Sequence, residues 1–327
     1  MKKFILVLSW LIIFSFQSVS NAADTKTFSK NLCAIHIGGN WAQNPTGFVT
    51  HPVEYIDFLH HVNTDWVGIS VALHVDDSMD STVERVYSGV NIPTFSDADL
   101  RNTIRFLKDN GFNVYLTLAF EIQEAERAQH PVARWQLGDP NMTNEDHRIS
   151  PDYWPWDVNH PLHRQFVRKF WETYKDQAVY YGRLAEEENV KMYSLGTETE
   201  RLFRTRAGNY WPNHFKTELQ TMVDSVRSVF SGLLTYDMHY GALTAIDFFG
   251  PGSNYLWYDL DLDAIGVSAY FPLFENAPPS VPTVEQLEFR WNDVFENHLI
   301  PLQERNPQLP IVFLEYGYVD DPASPFQ

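Results

Sequence analysis

The chain has 327 residues, a formal net charge of −18 at pH 7 and one cysteine, Cys33. Such a charge repels polyanions and makes nucleic acid and anionic lipid poor partners, while neutral substrates meet no such penalty. A single cysteine allows no internal disulfide, so a disulfide-stapled module is excluded and stability has to come from a large apolar core.

Lys2 and Lys3 precede an apolar run from Phe4 to Phe16, followed by polar residues and by Ser20-Asn21-Ala22. This is the pattern of a secretory signal peptide, cleaved after Ala22 or close to it. The run is short for a bilayer span. The expectation is therefore a signal peptide over residues 1–22 and one domain over 23–327. That domain would be secreted or periplasmic, free of the membrane after cleavage, with a monomer as the expected state.

From there on, strand-like runs alternate with helical stretches. The strands fall at Leu32–Ile37, Trp66–Leu73, Asn113–Phe120, Lys191–Leu195, Leu233–Met238, Ala264–Ala269 and Ile311–Leu314. Ser96 to Asp99 has the pattern of a capping box; Leu100, Ile104 and Leu107 then share a face, and Gly111 ends the helix. Phe166, Phe170, Tyr174, Ala178 and Tyr181 make a second stripe, and Phe215, Leu219, Met222, Val226 and Phe230 a third. Thr283 and Gln286 mark another capping box, before Leu287, Trp291, Val294, His298 and Leu302. Apolar strands alternating with amphipathic helices predict a parallel sheet covered by helices. Gly38-Gly39 alone is no dinucleotide fingerprint. The α/β class expected is a (β/α)8 TIM barrel, lacking its eighth strand because the chain ends early: after Glu315 the tail carries Pro322 and Pro325 and makes a poor strand.

Two of the strands end in a glutamate. Gly196-Thr197-Glu198 follows the fourth and Phe313-Leu314-Glu315-Tyr316-Gly317 closes the seventh. A carboxylate is costly at the end of a buried apolar run unless it works there. Two of them facing one cleft at the C-terminal end of a barrel can cleave a glycosidic bond. Glu200 rivals Glu198 for its role by proximity. Other residues placed to line the cleft and bind substrate are Asn40 and Trp41 after the first strand, His74 after the second and His239 after the fifth. Trp135 and Trp154 lie in the long irregular stretch from about Glu121 to Asn159, where flat rings could stack on sugars. No metal-ligand spacing such as His-Glu-x-x-His occurs, so no metal and no cofactor are expected.

The segments Gly196-Thr197-Glu198, Ile265 to Leu273 and Phe313 to Tyr318, with Trp135 and the Phe170-Trp171…Tyr174 helix, resemble glycoside hydrolase family 113. These are clan A (β/α)8 barrels acting on β-1,4-mannans. The resemblance implies Glu198 as acid/base, Glu315 as nucleophile, and Tyr270 as a hydrogen-bond donor to Glu315. It implies retaining hydrolysis of a neutral β-linked polysaccharide or oligosaccharide by double displacement. Thr197 stands where many clan A enzymes carry asparagine, as in the resembled family. Two features depart from the family pattern: the closing strand with its platform tryptophan is missing, and Arg134-Trp135-Gln136-Leu137-Gly138 stands where Trp-Arg-Gly is expected. Alternative readings are another clan A activity (glucanase, galactanase or xylanase), a non-catalytic carbohydrate-binding barrel, and a metal-dependent hydrolase using His74 and Asp76.

Overall fold

The computed structural model describes residues 34–37, 52–61, 63–77, 80–90, 92–122, 134, 137, 161–199, 216–241, 243, 260–274 and 281–316. Residues 1–22 lie outside this set. Seven strands form one sheet: β1 (Ala34–Ile37), β2 (Trp66–Val75), β3 (Asn113–Ile122), β4 (Met192–Thr197), β5 (Leu233–His239), β6 (Ile265–Ser268) and β7 (Ile311–Glu315). Every pairing is parallel, and the strand order is the chain order. A doubly wound sheet reverses its order at a switch point; a barrel wall does not. The described residues form seven strands of a (β/α)8-type barrel wall.

All seven runs read from the sequence form strands. Five of them, β2, β3, β4, β5 and β7, continue one or two residues beyond the apolar run at their C-terminal ends. The added residues include His74, Glu121, Thr197, His239 and Glu315. An apolar-run criterion stops at such residues, but the backbone ladder does not, since it depends on main-chain hydrogen bonds alone.

Alternation along the strands separates two surfaces. Trp66, Tyr115, Met192, Leu233, Ala264, Val312 and Leu314 form one buried cluster on the inner face. The residues between them, such as Val67, Ile69, Val114, Leu116, Leu234, Ile265 and Val267, belong to a second core shared with the helices. Toward the strand C-termini the inner face turns polar, with Thr117, Thr197, Asp237 and Ser268 all buried. The Tyr115 ring occupies the interior opposite Gly68, where any side chain would run into it. Its hydroxyl donates to the Leu314 carbonyl at 3.2 Å and so ties β3 to β7 across the inside.

The helices are α1 (Pro52–His61), α2 (Asp97–Asp109), α3 (Pro161–Glu187), α4 (Lys216–Arg227), α5 (Val284–Val294) and α6 (Ile300–Arg305). Ser96 caps α2 by accepting from the Asp99 amide, with Leu100, Ile104 and Leu107 buried. Gly111, at φ 92°, turns the chain after it. On α3, Phe166, Phe170, Tyr174, Ala178 and Tyr181 are all buried. On the α4 stripe, Leu219, Met222, Val226 and Phe230 are buried, and Phe215 lies outside the described residues. Thr283 and Gln286 form a reciprocal capping box at α5. The single helix expected after Thr283 is broken by a π-helical turn, Phe295–Leu299, just before Pro301. A proline there offers no amide and crowds the carbonyl four residues back, so the ladder has to widen.

Gly68→Ala tests the inner packing. The new methyl meets the anchored Tyr115 ring, and the variant is expected to lose about 1–3 kcal/mol of unfolding free energy in urea titrations.

Candidate active site

Both strand-end glutamates follow a bulge. On β4, Ser194 lies opposite Thr235 of β5, but the next matched pair is Thr197 and Asp237, so β4 carries one extra residue. On β7, Phe313 lies opposite Val267 of β6, and the next pair is Glu315 and Ser268, so β7 carries the extra residue. A bulge redirects the side chains beyond it. In β4 the redirection is strong: Glu198 sits at φ 54°, a left-handed conformation that few non-glycine residues adopt outside functional sites. Its amide donates to the Asp237 carbonyl at 2.9 Å, which fixes this turn. Gly196 is needed just before it, because a side chain there would strike the hydroxyls of Tyr174 and Tyr236.

One guanidinium spans the two carboxylates. Arg134 Nε donates to Glu198 Oε2 at 3.2 Å, and Nη2 donates to Glu315 at 3.1 Å and 3.3 Å. Burial works against the arginine's charge, but Glu315, Glu198, Asp237 and Glu121 around it more than offset this, and its pKa is raised. Tyr270, just past β6, has its hydroxyl beside Glu315, where it favours the anion. The Ser268 hydroxyl lies between two acids: it hydrogen-bonds Asp237 Oδ2 at 3.0 Å and stands close enough to Glu198 to favour its anion.

The electrostatics of the two glutamates differ. Glu198 is 3% exposed, and burial raises its pKa despite Arg134 and Ser268. Glu315 is also raised, first by burial and further by the charge of Glu198, against the pull of Arg134 and Tyr270. Its side chain is 18% exposed and receives two guanidinium contacts, with the Tyr270 phenol beside it. By burial alone Glu198 is the better proton holder, while the two Arg134 contacts favour the anion at Glu315.

The other residues singled out in the sequence fall into four cases. Tyr270 is 39% exposed and reaches the Glu315 carboxylate. His239 stands at the end of β5, where its Nδ1 accepts the Gly241 amide at 3.0 Å. Burial, and then the positive charge of Arg134, push its pKa down to about 4, so it is neutral at neutral pH. His74 is on β2, in register with Glu121 of β3, and is fully buried, so it presents no surface to a ligand. Asn40, Trp41, Trp135, Trp154 and the rival Glu200 lie outside the described residues.

Sequence reasoning missed Arg134, Asp237, Ser268 and Glu121. Asp237 carried the same signal as the two glutamates: a charge inside the buried run Leu-Leu-Thr-Tyr-Asp-Met-His. Arg134 carried none, because it lies in an irregular segment without periodicity.

A family model described as Glycoside Hydrolase Family 113 matches residues 152–324, more than half of the chain. The chain belongs to glycoside hydrolase family 113. The matched span holds β4 to β7 and with them Glu198, Asp237, Ser268, Tyr270 and Glu315. No curated protein matches the chain. Among solved structures, a family 113 β-1,4-mannanase is similar at 16% identity and a TM-score of 0.58, over 90% of this chain and 75% of that one. The family 113 β-mannanase of Alicyclobacillus acidocaldarius is similar at 18% identity and a TM-score of 0.57, over 88% and 71% of the two chains. A family 5 mannosidase of Rhizomucor miehei follows at 11% identity and a TM-score of 0.50, over 91% and 72%. At such identities the structures establish the shared barrel, and the family match makes this family 113 protein a glycoside hydrolase.

Arg134 lowers the pKa of both glutamates, so its stabilising effect is present where they are ionised and fades as pH falls through their pKa values. Arg134→Met is expected to lower unfolding free energy at neutral pH by about 3–5 kcal/mol, and by less near pH 4, as read from urea midpoints at the two pH values.

Proposed function

We propose that this hydrolase cleaves β-1,4-linked mannan by double displacement, with Glu198 as acid/base and Glu315 as nucleophile. One observation carries the mechanism: the Arg134 guanidinium bonds both carboxylates at once. Retaining glycosidases hold their two carboxyls about 5–5.5 Å apart, whereas inverting enzymes leave about 6.5–9.5 Å for a water. Two carboxylates bonded to adjacent nitrogens on one edge of a guanidinium favour the closer class.

The roles follow from the environments. Glu315, held by Arg134 with Tyr270 beside it, attacks the anomeric carbon as a carboxylate. Glu198, the more buried acid, gives its proton to the departing glycosidic oxygen. The negative charge then leaves Glu315, which has become an ester, and appears on Glu198. Arg134 touches both, so one fixed cation faces the charge before and after the step, without reorganising. In the second half, Glu198 takes a proton from water, which attacks the ester and restores Glu315. Tyr270, partly open to solvent and beside the nucleophile, would meet the sugar next to the reacting carbon.

The choice of mannan rests on family membership and on the mannanase and mannosidase named among the similar structures. A neutral polysaccharide also suits a chain of net charge −18. Action outside the cytoplasm is part of the proposal and is supported by the leader-like pattern from Lys2 to Ala22. Product analysis on a panel of soluble β-mannan, β-glucan, galactan and xylan tests substrate class and cleavage mode; release of oligosaccharides from glucan, galactan or xylan but not mannan would overturn the mannan assignment. The anomer first released, followed by proton NMR, is expected to be β.

Glu315→Ala is expected to abolish turnover, and azide to restore it on an activated glycoside, giving an α-glycosyl azide. Glu198→Ala is expected to slow hydrolysis of poor leaving groups by about 10²–10⁴-fold in kcat/KM while largely sparing the first step with a nitrophenolate, which needs no proton. Equal loss on both substrate types would remove Glu198 from the acid role.

A further inference from the structure

The mechanism above uses two carboxylates, but the site contains a third. Asp237 is 1% exposed and lies in β5, two residues before its end. Its Oδ2 is hydrogen-bonded to Ser268 Oγ at 3.0 Å, and its Oδ1 has no hydrogen-bond partner among the described residues. Four groups face it: Glu198 from β4, Glu315 from β7, Arg134 from the segment after β3, and the Tyr115 phenol from β3. The Arg134 hydrogen bonds go to the two glutamates. An ionised Asp237 would therefore be a buried, half-bonded charge beside two other carboxylates, and all three influences favour the protonated acid. Burial first, and then Glu315 and Glu198, raise its pKa well above the ordinary range.

Ser268 links this acid to the active pair. It bonds Asp237 here and stands beside Glu198, and a hydroxyl carries one proton and can donate to one acceptor at a time. We propose that Asp237 is a positioning residue which, as a neutral acid acting through Ser268, frees the serine proton for Glu198 whenever Glu198 is charged. The inference rests on Glu198 being the acid/base. While Glu198 holds its proton, Ser268 donates to Asp237 Oδ2. When Glu198 passes that proton to the leaving oxygen, the Ser268 hydroxyl rotates and donates to the new carboxylate. No covalent bond of Asp237 or Ser268 breaks, and Asp237 keeps its proton throughout. An ionised Asp237 would do the opposite: it would hold the serine proton in a charge-assisted bond and repel the charge arriving on Glu198. Glu198 also faces Glu315, Arg134, Tyr240 and Tyr270, none of which can turn its donor between the two acids in this way.

The test compares Asp237→Asn, Ser268→Ala and Ser268→Thr with the wild type. The alkaline limb of the kcat/KM–pH profile reports the Glu198 proton. Asp237→Asn is expected to keep that limb in place, since no charge is lost; a shift toward acid pH would show that Asp237 was ionised and would overturn the proposal. Ser268→Ala removes a donor to ionised Glu198, so the limb is expected to move to higher pH. kcat/KM on poor leaving groups is expected to fall roughly 10- to 100-fold, with a smaller loss on good ones. Ser268→Thr keeps the hydroxyl and should restore both. An unmoved limb in Ser268→Ala would sink the relay. Infrared difference spectra between wild type and Asp237→Asn should contain a protonated-carboxyl band at neutral pH, and its absence would also overturn the proposal. That measurement needs no turnover, so its failure is distinct from failure of the hydrolase reading, which the Glu315→Ala and substrate-panel experiments decide.

Discussion

The ion triplet Glu198–Arg134–Glu315 is the constraint on which the site depends. Two carboxylates in a largely buried pocket repel each other and resist ionisation, and a cation between them favours the charged form that can attack carbon. With one guanidinium shared, the pocket tolerates one full negative charge at a time. That is the charge state a double displacement needs at rest and, with the charge moved to the other glutamate, in the intermediate. A lysine could not serve as well, since its point charge lacks the flat edge that meets two carboxylates at once.

The barrel is organised to deliver this triplet. Its inner face is apolar at the N-terminal end, where Trp66, Met192, Leu233, Ala264 and Val312 fill the space, and polar at the C-terminal end. The polar end is held by hydrogen bonds between strands: Thr117 with Thr197 at 3.0 Å, Ser268 with Asp237, and the Glu198 amide with the Asp237 carbonyl. Each bond crosses between elements, so each glutamate's position is set by its neighbours as much as by its own strand.

The fold was largely legible in the sequence because buried strands and amphipathic helices write themselves as apolar periodicity. Seven runs gave seven strands, and the stripes on α2, α3 and α4 are buried as their spacing implies. The strand ends were less legible, since polar site residues interrupt the apolar pattern that the ladder ignores. Glu198 and Glu315 stood out as charges where burial is costly. Asp237 obeyed the same rule but was masked by the apolar residues on both sides. Ser268 looks like any small strand residue, and its role exists only through two acids on other strands. Arg134 was hidden for a different reason: tertiary proximity alone brings it to the glutamates, and nothing local announces it. The π-helical turn before Pro301 shows local chemistry prevailing over a stripe that reads as one continuous helix.

The Tyr115 phenol has a bearing on the nucleophile that its place in the apolar cluster conceals. Its hydroxyl grips the carbonyl of Leu314, the residue immediately before Glu315, from the opposite side of the lumen. The height of the attacking oxygen above the barrel floor is therefore gauged by a strut running from β3, and not by the β6–β7 ladder alone. Facing walls joined in this way shift together, so breathing of the barrel carries the nucleophile with it instead of pulling it out of line.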